Sequence, residues 1–200
     1  MNKKELAISL SKLKPQLDTS ACLEQYSTEC EIAAEILWIA FMNDEIKDKV
    51  IADFGCGNGI LGIGALLLGA QKVYFVDIDK KAIMNAKENV KSLRINKDRV
   101  EFLNIDIKGF ANNVDVVIQT PPFGVQNEHA DRKFIVTAFN TSKVAYSLHK
   151  IKSKSFLEAL ARENKKNISL IKIVSLPLKR SKSFHKKKVH YVKIGVWRFE

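Results

Sequence analysis

The sequence predicts a three-layer α/β domain in which helices cover both faces of a seven-stranded, mostly parallel sheet. Short runs of β-branched apolar residues alternate with segments of helical periodicity, which is typical of parallel strands buried on both faces. The last two predicted strands have no room for a helix between them, so they should form an antiparallel hairpin that closes the sheet. The 200 residues are enough for a single domain with a substantial core.

Two helices are predicted before the first strand. Leucines recur at helical spacing from Leu6 to Leu17, which indicates an amphipathic helix that Pro15 should end or kink. Thr28, followed three residues later by Glu31, has the sequence pattern of a capping box, so a second helix should begin there and run to about Phe41. Apolar residues cover most of its circumference, and we therefore expect it to be largely buried.

The rest of the chain alternates strands and helices. Apolar, β-branched runs predict the strands, and amphipathic periodicity between them predicts the helices. The predicted strands are one from Val50 into a glycine-rich turn, then 72–77, 100–106, 114–119, 144–148, 168–176 and 190–199. The predicted helices among them are 60–68, 80–93 and 153–164, the last with Ser153 as its cap.

Positive charge is concentrated near the C-terminus. Residues 143–200 contain 16 lysines and arginines against 3 acidic residues, whereas residues 1–142 contain 17 against 19. Such an uneven distribution indicates a polyanionic partner, and nucleic acid is the usual one. A solvated, lysine-rich surface is the alternative.

The composition argues against several other classes of protein. The three cysteines and four histidines show no metal-ligand spacing, so we expect neither a disulfide framework nor a metal site, and a reducing cytoplasm is the default location. The first residues lack the apolar core of a signal peptide, and no apolar run is long enough to span a bilayer. We therefore expect a soluble cytoplasmic protein.

A ligand site is predicted at the carboxyl ends of the strands, where open parallel sheets bind their ligands. Three predicted strands carry an acidic residue there, namely Asp53, Asp77 and Asp106. The turn Gly55-Cys-Gly-Asn-Gly59 removes side chains, so that the backbone can approach a ligand closely. Asp77 lies where an acidic residue accepts hydrogen bonds from ribose hydroxyls, and Asp106 with Ile107 would then flank an adenine.

Two adenosine-containing cofactors fit this pattern. Gly57-Asn-Gly-Ile-Leu-Gly62 matches the G-x-G-x-x-G fingerprint of dinucleotide sites, in which a helix N-terminus faces a pyrophosphate. Here the turn instead starts from Asp53 and Gly55, and a carboxylate that faces the ligand suits a cation. S-adenosylmethionine carries both a sulfonium and an ammonium, so we favour it over NAD.

A rigid corner is predicted after the strand that begins at Val114. Thr120 is followed by two prolines, each of which fixes φ and lacks an N–H group. The Thr120 hydroxyl and the Pro121 carbonyl would be fixed hydrogen-bond acceptors, with the Phe123 ring beside them. A flat heterocycle with an exocyclic amine could stack on Phe123 and donate to both acceptors. The alternative is a strand-ending turn with one core aromatic.

These motifs resemble those of known enzymes. Residues 53–59, Asp77 and residues 120–123 resemble the class I methyltransferases that modify exocyclic amines on a Rossmann-like fold. The match narrows with five further segments, which together resemble the methyltransferase-like protein 5 family, and most of all its archaeal members. These segments are Leu23-Glu-Gln-Tyr26 with Thr28, Pro121-Pro-Phe-Gly124, His129-Ala-Asp-Arg132, Tyr146-Ser-Leu-His149 and Phe184-His-Lys-Lys-Lys188.

The resemblance implies S-adenosylmethionine-dependent methylation of adenosine N6 in small-subunit ribosomal RNA. It implies RNA as a partner and, as in eukaryotic members, a small zinc-binding activator subunit. We expect one methyltransferase domain over residues 1–200, with helices in 1–45 covering the cofactor pocket of a Rossmann-like core in 46–200. Thr120, Pro121, Pro122 and Phe123 would hold the target adenine. The expected cofactor-binding residues are Gln25, Tyr26, Thr28, Asp53, Gly55, Gly57, Asn58, Gly59, Ile60, Asp77, Ile78, Asp106 and Ile107.

One position departs from the family pattern. The family usually has Asn where this chain has Thr120, and a hydroxyl is shorter than a carboxamide and offers one oxygen. Two alternative functions therefore stay open. The first is methylation of a protein side-chain amide, which uses a similar Pro-Pro turn, and the second is RNA binding without catalysis.

Two surface segments are candidate substrate contacts. A basic run with an aromatic inside it lies between the last two strands and is typical of RNA-backbone contact, with a solvated hairpin loop as the alternative. Its residues are Arg180, Lys182, Phe184, His185, Lys186, Lys187 and Lys188. The segment His129-Ala-Asp-Arg132 is either a lid or substrate contact over the cleft or, through Asp131, a helix cap. His149 and Tyr146 lie in a strand, where structural roles are expected.

Overall fold

Seven strands form a single sheet in the computed structural model, which describes residues 1–15, 30–122, 131–178 and 190–200. Along the chain the strands are β1 (Val50–Phe54), β2 (Lys72–Val76), β3 (Val100–Leu103), β4 (Val114–Gln119), β5 (Ser142–Lys150), β6 (Ile168–Leu178) and β7 (His190–Phe199). Their order across the sheet is β3-β2-β1-β4-β5-β7-β6. The pairs from β3 to β5 are parallel, whereas β7 runs antiparallel to both β5 and β6. The predicted fold class and the predicted terminal hairpin are therefore confirmed.

Helices cover both faces of this sheet. Within the described residues they are α1 (Lys3–Leu10), α2 (Cys30–Met42), α3 (Ile60–Leu67), α4 (Lys80–Ser92), α5 (Arg132–Thr141) and α6 (Lys154–Glu163). The first four helices pack in one apolar cluster with strand residues such as Ile51 and Ile118. Helices α5 and α6 pack in a second cluster with Ala52 and Val117 on the opposite face. Successive strand residues thus alternate between two cores, which is why each strand is apolar throughout.

The strand order reverses at β1, and this reversal places the ligand crevice. Strand β1 lies between β2 and β4, so the chain builds outward to β3 before it crosses back to β4. Phe54 pairs with both Val76 and Gln119, so the loops that follow β1, β2 and β4 leave the sheet side by side. Open α/β sheets bind their ligands in the crevice at such a reversal.

Several element ends differ from the sequence-based expectation. Helix α1 ends at Leu10, well before Pro15, where the Ser11 side chain bonds back to the Ile8 carbonyl and competes with the helix. Strand β3 ends at Leu103, because the Asn104 side chain turns to donate to the Asp77 and Ile78 carbonyls. Ser153 precedes α6 as predicted, but its side chain makes no capping hydrogen bond.

Helix α5 was not predicted as an element. Its sequence, RKFIVTAFNT, has β-branched residues at its centre, and these favour strands as readily as helices. Asp131 occupies the position before the first turn, as the helix-cap alternative predicts. Its side chain makes no capping hydrogen bond, so that part of the alternative is wrong. Burial of Phe134, Ile135 and Ala138 on the second core holds the helix in place.

Among the described residues, no helix has the length and apolar character that a bilayer crossing requires.

Gly62 allows α3 to pack directly against β2. A Cβ atom there would lie 2.4 and 2.8 Å from atoms of the Phe75 ring and 2.9 Å from Val73 Cγ1. The Phe75 ring cannot easily turn aside, because it is stacked on Phe102 with ring centroids 4.9 Å apart. The last glycine of the apparent dinucleotide fingerprint therefore serves close packing between helix and strand.

We expect Gly62→Ala to lower the free energy of unfolding by about 1–3 kcal/mol, because the clash outweighs alanine's helix propensity of about 1 kcal/mol. Urea unfolding followed by circular dichroism measures the change. Gly109→Ala is the control, since a Cβ there meets only Ile105 Cδ1, at 3.8 Å. Equal stability of the two variants would contradict the tight packing of α3.

Candidate functional site

Asp53 caps the N-terminus of α3 from the neighbouring strand. Gly59 precedes α3 and has no side chain, so it cannot supply the usual capping oxygen. Asp53, in β1, accepts a hydrogen bond of 2.8 Å from the Gly62 N–H instead, and its side chain is buried. Because a carboxylate of the protein already accepts from one N–H group of this helix end, the geometry is unlike that of a pyrophosphate site, where the ligand accepts from these groups.

Asp77 holds the glycine-rich turn in place from the end of β2. One of its carboxylate oxygens accepts from the Gly57 N–H at 2.9 Å, and the other accepts from the Asp79 N–H at 2.9 Å. Gly55, Gly57 and Gly59 all have positive φ, between 55° and 83°, which fits the predicted need for glycine in this turn. Asp77 therefore shapes the turn and keeps lone pairs for a ligand hydroxyl.

The two carboxylates give the site a negative potential that no basic side chain of the described residues neutralises. Within the described residues, neither Asp53 nor Asp77 has an ion pair with a lysine, arginine or histidine, although both are buried. Burial raises the pKa of Asp53 to about 7, and the nearby Asp77 charge adds to this rise. Burial likewise raises the pKa of Asp77. A cationic ligand would relieve this repulsion and restore both pKa values toward the ordinary range.

The predicted adenine end of the site combines an exposed apolar residue with an ion pair. Ile78 follows β2 and is 55% exposed, which is a high exposure for a large apolar side chain next to a buried Asp. Asp106 accepts from the Lys108 N–H and pairs with Lys133 at 3.0 Å, and these contacts lower the pKa of its carboxyl. Ile107 is buried in the second core, so only its backbone remains for a ligand.

The N-terminal segment is fastened to the glycine-rich turn by a residue that the sequence analysis missed. Asn89, in α4, accepts from the Lys14 N–H and donates to the Lys14 and Asn58 carbonyls. The Asn58 side chain also donates to the Lys14 carbonyl, at 3.1 Å. Asn89 is only 1% exposed, and the signal that could have revealed it is a polar side chain on the apolar stripe of an amphipathic helix.

Helix α5 closes the opposite side of the same turn. A Cβ atom at Gly55 would lie 3.2 Å from the Phe134 ring, so α5 and the turn are in close contact. One residue earlier, Lys133 reaches Asp106. The unpredicted helix therefore touches both the glycine-rich turn and the adenine end of the site.

The proline corner begins beside the glycine-rich turn. Gln119, the last residue of β4, pairs with Phe54 on one side and Ser147 on the other, so Thr120 and Gly55 both leave the sheet from adjacent strands. Pro121 is buried, whereas Thr120 and Pro122 are partly exposed. The described part of the corner is thus positioned to present acceptors at the crevice.

Several predicted site residues lie outside the described residues, so their predicted roles stay predictions. They are Gln25, Tyr26, Thr28, Phe123, His129, Arg180, Lys182, Phe184, His185, Lys186, Lys187 and Lys188. The remaining predicted cofactor and corner residues lie around the crevice, in strand ends such as Asp53, in the loops that follow them, or at the start of α3, as Gly59 and Ile60 do.

The fold and the site together define a class I methyltransferase. Its sheet differs from the dinucleotide-binding order by the inserted antiparallel strand β7, and its helix end faces Asp53 instead of a phosphate. The residues fit S-adenosylmethionine, since two buried carboxylates without a basic partner in the described part of the chain suit a ligand that carries a sulfonium, an ammonium and ribose hydroxyls.

Comparisons with known proteins identify the family. A family model described as ribosomal protein L11 methyltransferase (PrmA) matches residues 18–120. The chain is 36% identical over 212 residues to uncharacterized protein MJ0284 of Methanocaldococcus jannaschii, covering 100% of this chain and 94% of that protein. It is 32% identical over 206 residues to the rRNA N(6)-adenosine-methyltransferase METTL5 of Danio rerio, covering 100% and 99%.

A solved structure agrees with these sequence matches. The crystal structure of a putative RNA methyltransferase, PH1948 from Pyrococcus horikoshii, superposes with a TM-score of 0.89 at 39% identity and covers 100% of this chain and 96% of that one. The chain therefore belongs to the METTL5 family, within the wider group of methyltransferases that the L11 methyltransferase model describes. The predicted resemblance to this family and its archaeal members is confirmed.

We expect Asp53→Asn to weaken S-adenosylmethionine binding by about tenfold or more, because it removes the charge that faces the cation. The amide oxygen can still accept from Gly62, so the fold should be retained. Isothermal titration measures the affinity. Asp115→Asn is the control, because Asp115 also accepts a backbone N–H, at 2.8 Å from Val50, but at the opposite end of the sheet. Unchanged affinity in Asp53→Asn would remove Asp53 from the cofactor site.

The raised pKa of Asp53 predicts opposite pH effects on binding and on folding. A cation binds the ionised carboxylate, so affinity should rise by up to about tenfold per pH unit until pH passes about 7. In the unliganded protein, a carboxyl whose folded pKa exceeds its unfolded value stabilises at low pH, and this contribution is lost as pH rises through about 7. Titrations and thermal unfolding across this range should show both trends in the wild type, and both trends should be weaker in Asp53→Asn, where Asp77 alone still titrates.

Proposed function

We propose that this protein methylates N6 of an adenosine in small-subunit ribosomal RNA, using S-adenosylmethionine. The observation that carries the proposal is the adjacency of the proline corner to the glycine-rich turn, set by the pairing of Gln119 with Phe54. A corner for a planar amine thereby lies next to a pocket for a cationic methyl donor. The relation to METTL5, named as an rRNA N(6)-adenosine methyltransferase, supports the substrate over the full length of the chain.

The cofactor would supply an electrophilic methyl group, and residues at the ends of β1, β2 and β3 would hold it. Asp53 would neutralise the positive charge, Asp77 would accept from the ribose, and Ile78 would contact the adenine. Asp106 and the Ile107 backbone would bind the adenine edge, while Gly55 and Gly57 would let the backbone approach. Each of these residues follows a parallel strand, which is why they converge from distant positions in the sequence.

The corner activates the amine by geometry. The lone pair of adenine N6 is delocalised into the ring, which makes the amine a poor nucleophile. The Thr120 hydroxyl and Pro121 carbonyl accept its two N–H bonds away from the ring plane and so localise the lone pair. The N6–methyl bond forms as the methyl–sulfur bond breaks, so S-adenosylhomocysteine would be the second product. The N6 proton becomes acidic only during this step and would be released to water, so no general base is required. Orientation of the amine toward the methyl group is then worth several kcal/mol.

The target base must be unstacked before it can reach the corner. Unstacking costs a few kcal/mol in a duplex and less in a loop, and stacking on Phe123 returns about 1–3 kcal/mol of this cost. Where the family usually has Asn, Thr120 offers a single hydroxyl oxygen on a shorter side chain. The corner therefore depends more strongly on the Pro121 carbonyl.

Labelled S-adenosylmethionine tests the activity directly. The purified protein is incubated with total RNA from its source, and the RNA is digested and analysed as nucleosides. We expect label in N6-methyladenosine from the small-subunit RNA. RNA that stays unlabelled, while the protein binds S-adenosylmethionine, would overturn the proposal.

Methylation of a ribosomal protein is a second candidate function. The match of residues 18–120 to the L11 methyltransferase model favours it, because that match includes the glycine-rich turn and Thr120. This function gives no reason for a cationic C-terminal third. Adding whole ribosomes to the same assay separates the two candidates, since label in protein and not in RNA would support methylation of a ribosomal protein.

We also propose an activator subunit and a cytoplasmic location. The small zinc-binding subunit rests on the family resemblance, and the location rests on the cysteine composition. If the purified chain methylates RNA by itself, at a rate that no added protein increases, this result would argue against the activator.

The cationic C-terminal third is proposed to bind the RNA backbone. We expect the triple charge reversal of Lys186, Lys187 and Lys188 to glutamate to weaken RNA binding and flatten its dependence on salt, because fewer counterions are released. Binding of a labelled RNA measured at several salt concentrations gives the slope. Lys47, Lys91 and Lys97, reversed together, are the control, since all three lie in residues 1–142, outside the cationic segment. An unchanged slope in the first variant would exclude the run from the RNA interface.

A further inference from the structure

Four buried polar side chains form a chain of hydrogen bonds between β4 and the start of α5. Gln119 Nε2 lies 3.1 Å from Ser147 Oγ, and Ser147 Oγ lies 2.6 Å from His149 Nε2. His149 Nδ1 then lies 3.1 Å from the Asp131 carboxylate. All four residues are at most 7% exposed. Ser147 and His149 face the same side of β5, the side that α5 covers.

The direction of these hydrogen bonds follows from Asp131. An ionised carboxylate only accepts, so His149 Nδ1 carries the proton and donates to Asp131. His149 Nε2 therefore accepts from the Ser147 hydroxyl, and the hydroxyl oxygen accepts from the Gln119 amide. The N-terminus of α5 supports this arrangement, because its dipole favours a negative charge at Asp131. One protonation pattern thus satisfies every contact with a neutral imidazole.

Packing alone gives no reason for these residues. Burial of polar side chains costs free energy unless every group is paired, and an apolar set would fill the same space without that cost. Here Gln119 Oε1 is buried and finds no hydrogen-bond partner among the described residues. The serine, histidine and aspartate resemble a hydrolase triad, but Ser147 is 0% exposed and cannot meet a substrate. These four residues can therefore act by orienting the segments to which they belong.

One end of this hydrogen-bond chain lies next to the proline corner, and the other end lies next to α5. Gln119 directly precedes Thr120, and Asp131 directly precedes α5, whose Lys133 pairs with Asp106 and whose Phe134 contacts Gly55. We propose that Asp131, His149, Ser147 and Gln119 form a positioning relay, which fixes the corner relative to the cofactor-binding turn. These are positioning residues, because they act through Thr120 and α5 and touch no reacting atom. The kinetic part of this inference rests on the proposed RNA methylation.

The kinetic test separates orientation from cofactor binding. Ser147→Ala and Asp131→Ala each break the relay, and we expect kcat for RNA methylation to fall about ten- to a hundredfold. The dissociation constant for S-adenosylmethionine should stay within about twofold, since neither residue touches that site. Asp131→Asn should recover most of the rate, because its amide oxygen can accept from His149 Nδ1.

Tyr146→Phe is the matched control for lost stability. Tyr146 is adjacent to Ser147 in β5 but faces the first core, where its hydroxyl donates to Glu45 and accepts from Asn43. Its removal should lower the melting temperature as Ser147→Ala does, without an effect on kcat. If Ser147→Ala and Asp131→Ala lose no more kcat than Tyr146→Phe, the relay is only structural and the inference is overturned.

Amide hydrogen exchange gives a readout that needs no activity. In the unliganded protein, Ser147→Ala and Asp131→Ala should speed exchange about tenfold in peptides that cover residues 114–122 and 131–138. Tyr146→Phe should leave these peptides unchanged. Faster exchange in a chain that methylates no RNA would support the relay and refute the proposed substrate. Unchanged exchange would refute the relay whatever the substrate.

Discussion

The site depends on a buried carboxylate at the end of β1. Asp53 lies at the ligand crevice because β1 is the strand at which the strand order reverses. Its hydrogen bond to Gly62 completes the first turn of α3, a helix whose preceding residue is a glycine without a capping side chain. The same carboxylate has no basic partner among the described residues, so it contributes structure and leaves a charge for the ligand.

This arrangement accounts for the preference for a cation over a pyrophosphate. A dinucleotide site uses the N–H groups of a helix N-terminus to bind phosphate. Here a protein carboxylate has taken one of those donors, and Asp77 has taken the N–H of Gly57 in the turn. Two negative charges at the helix start would repel a phosphate and attract a sulfonium or ammonium. The glycine pattern by itself therefore fits both kinds of cofactor site, whereas the hydrogen bonds that Asp53 and Asp77 accept from this turn favour a cationic ligand.

Helix α5 connects parts of the site that lie far apart in the sequence. Three segments that are distant in the sequence meet at this helix, because Lys133 pairs with Asp106, Phe134 contacts Gly55, and Asp131 pairs with His149. The predicted cofactor residues and the predicted substrate corner are thus joined through one helix and not through the loops alone. Such support is what a methyl transfer requires, since the donor and the acceptor must be aligned within a fraction of an ångström.

The fold was predictable because its signals are local. Each parallel strand is a short apolar run, each helix except α5 has a clear stripe or cap, and the hairpin follows from the missing helix between the last strands. The glycine turn, its acidic neighbours Asp53 and Asp77, and the proline corner could also be named, because strand ends carry function in open α/β sheets. The family followed from the same motifs read together.

Hydrogen-bond partners and charge states could not be predicted, because they depend on contacts between distant segments. Nothing near Asn89 in the sequence indicates that it fastens Lys14 to the glycine turn, and nothing near Asp131 indicates that it pairs with His149 instead of capping α5. The sequence by itself determined the layers, the strand ends and the kind of chemistry. Only the tertiary structure decided which polar groups meet, since burial leaves each of them a single set of neighbours with which to pair.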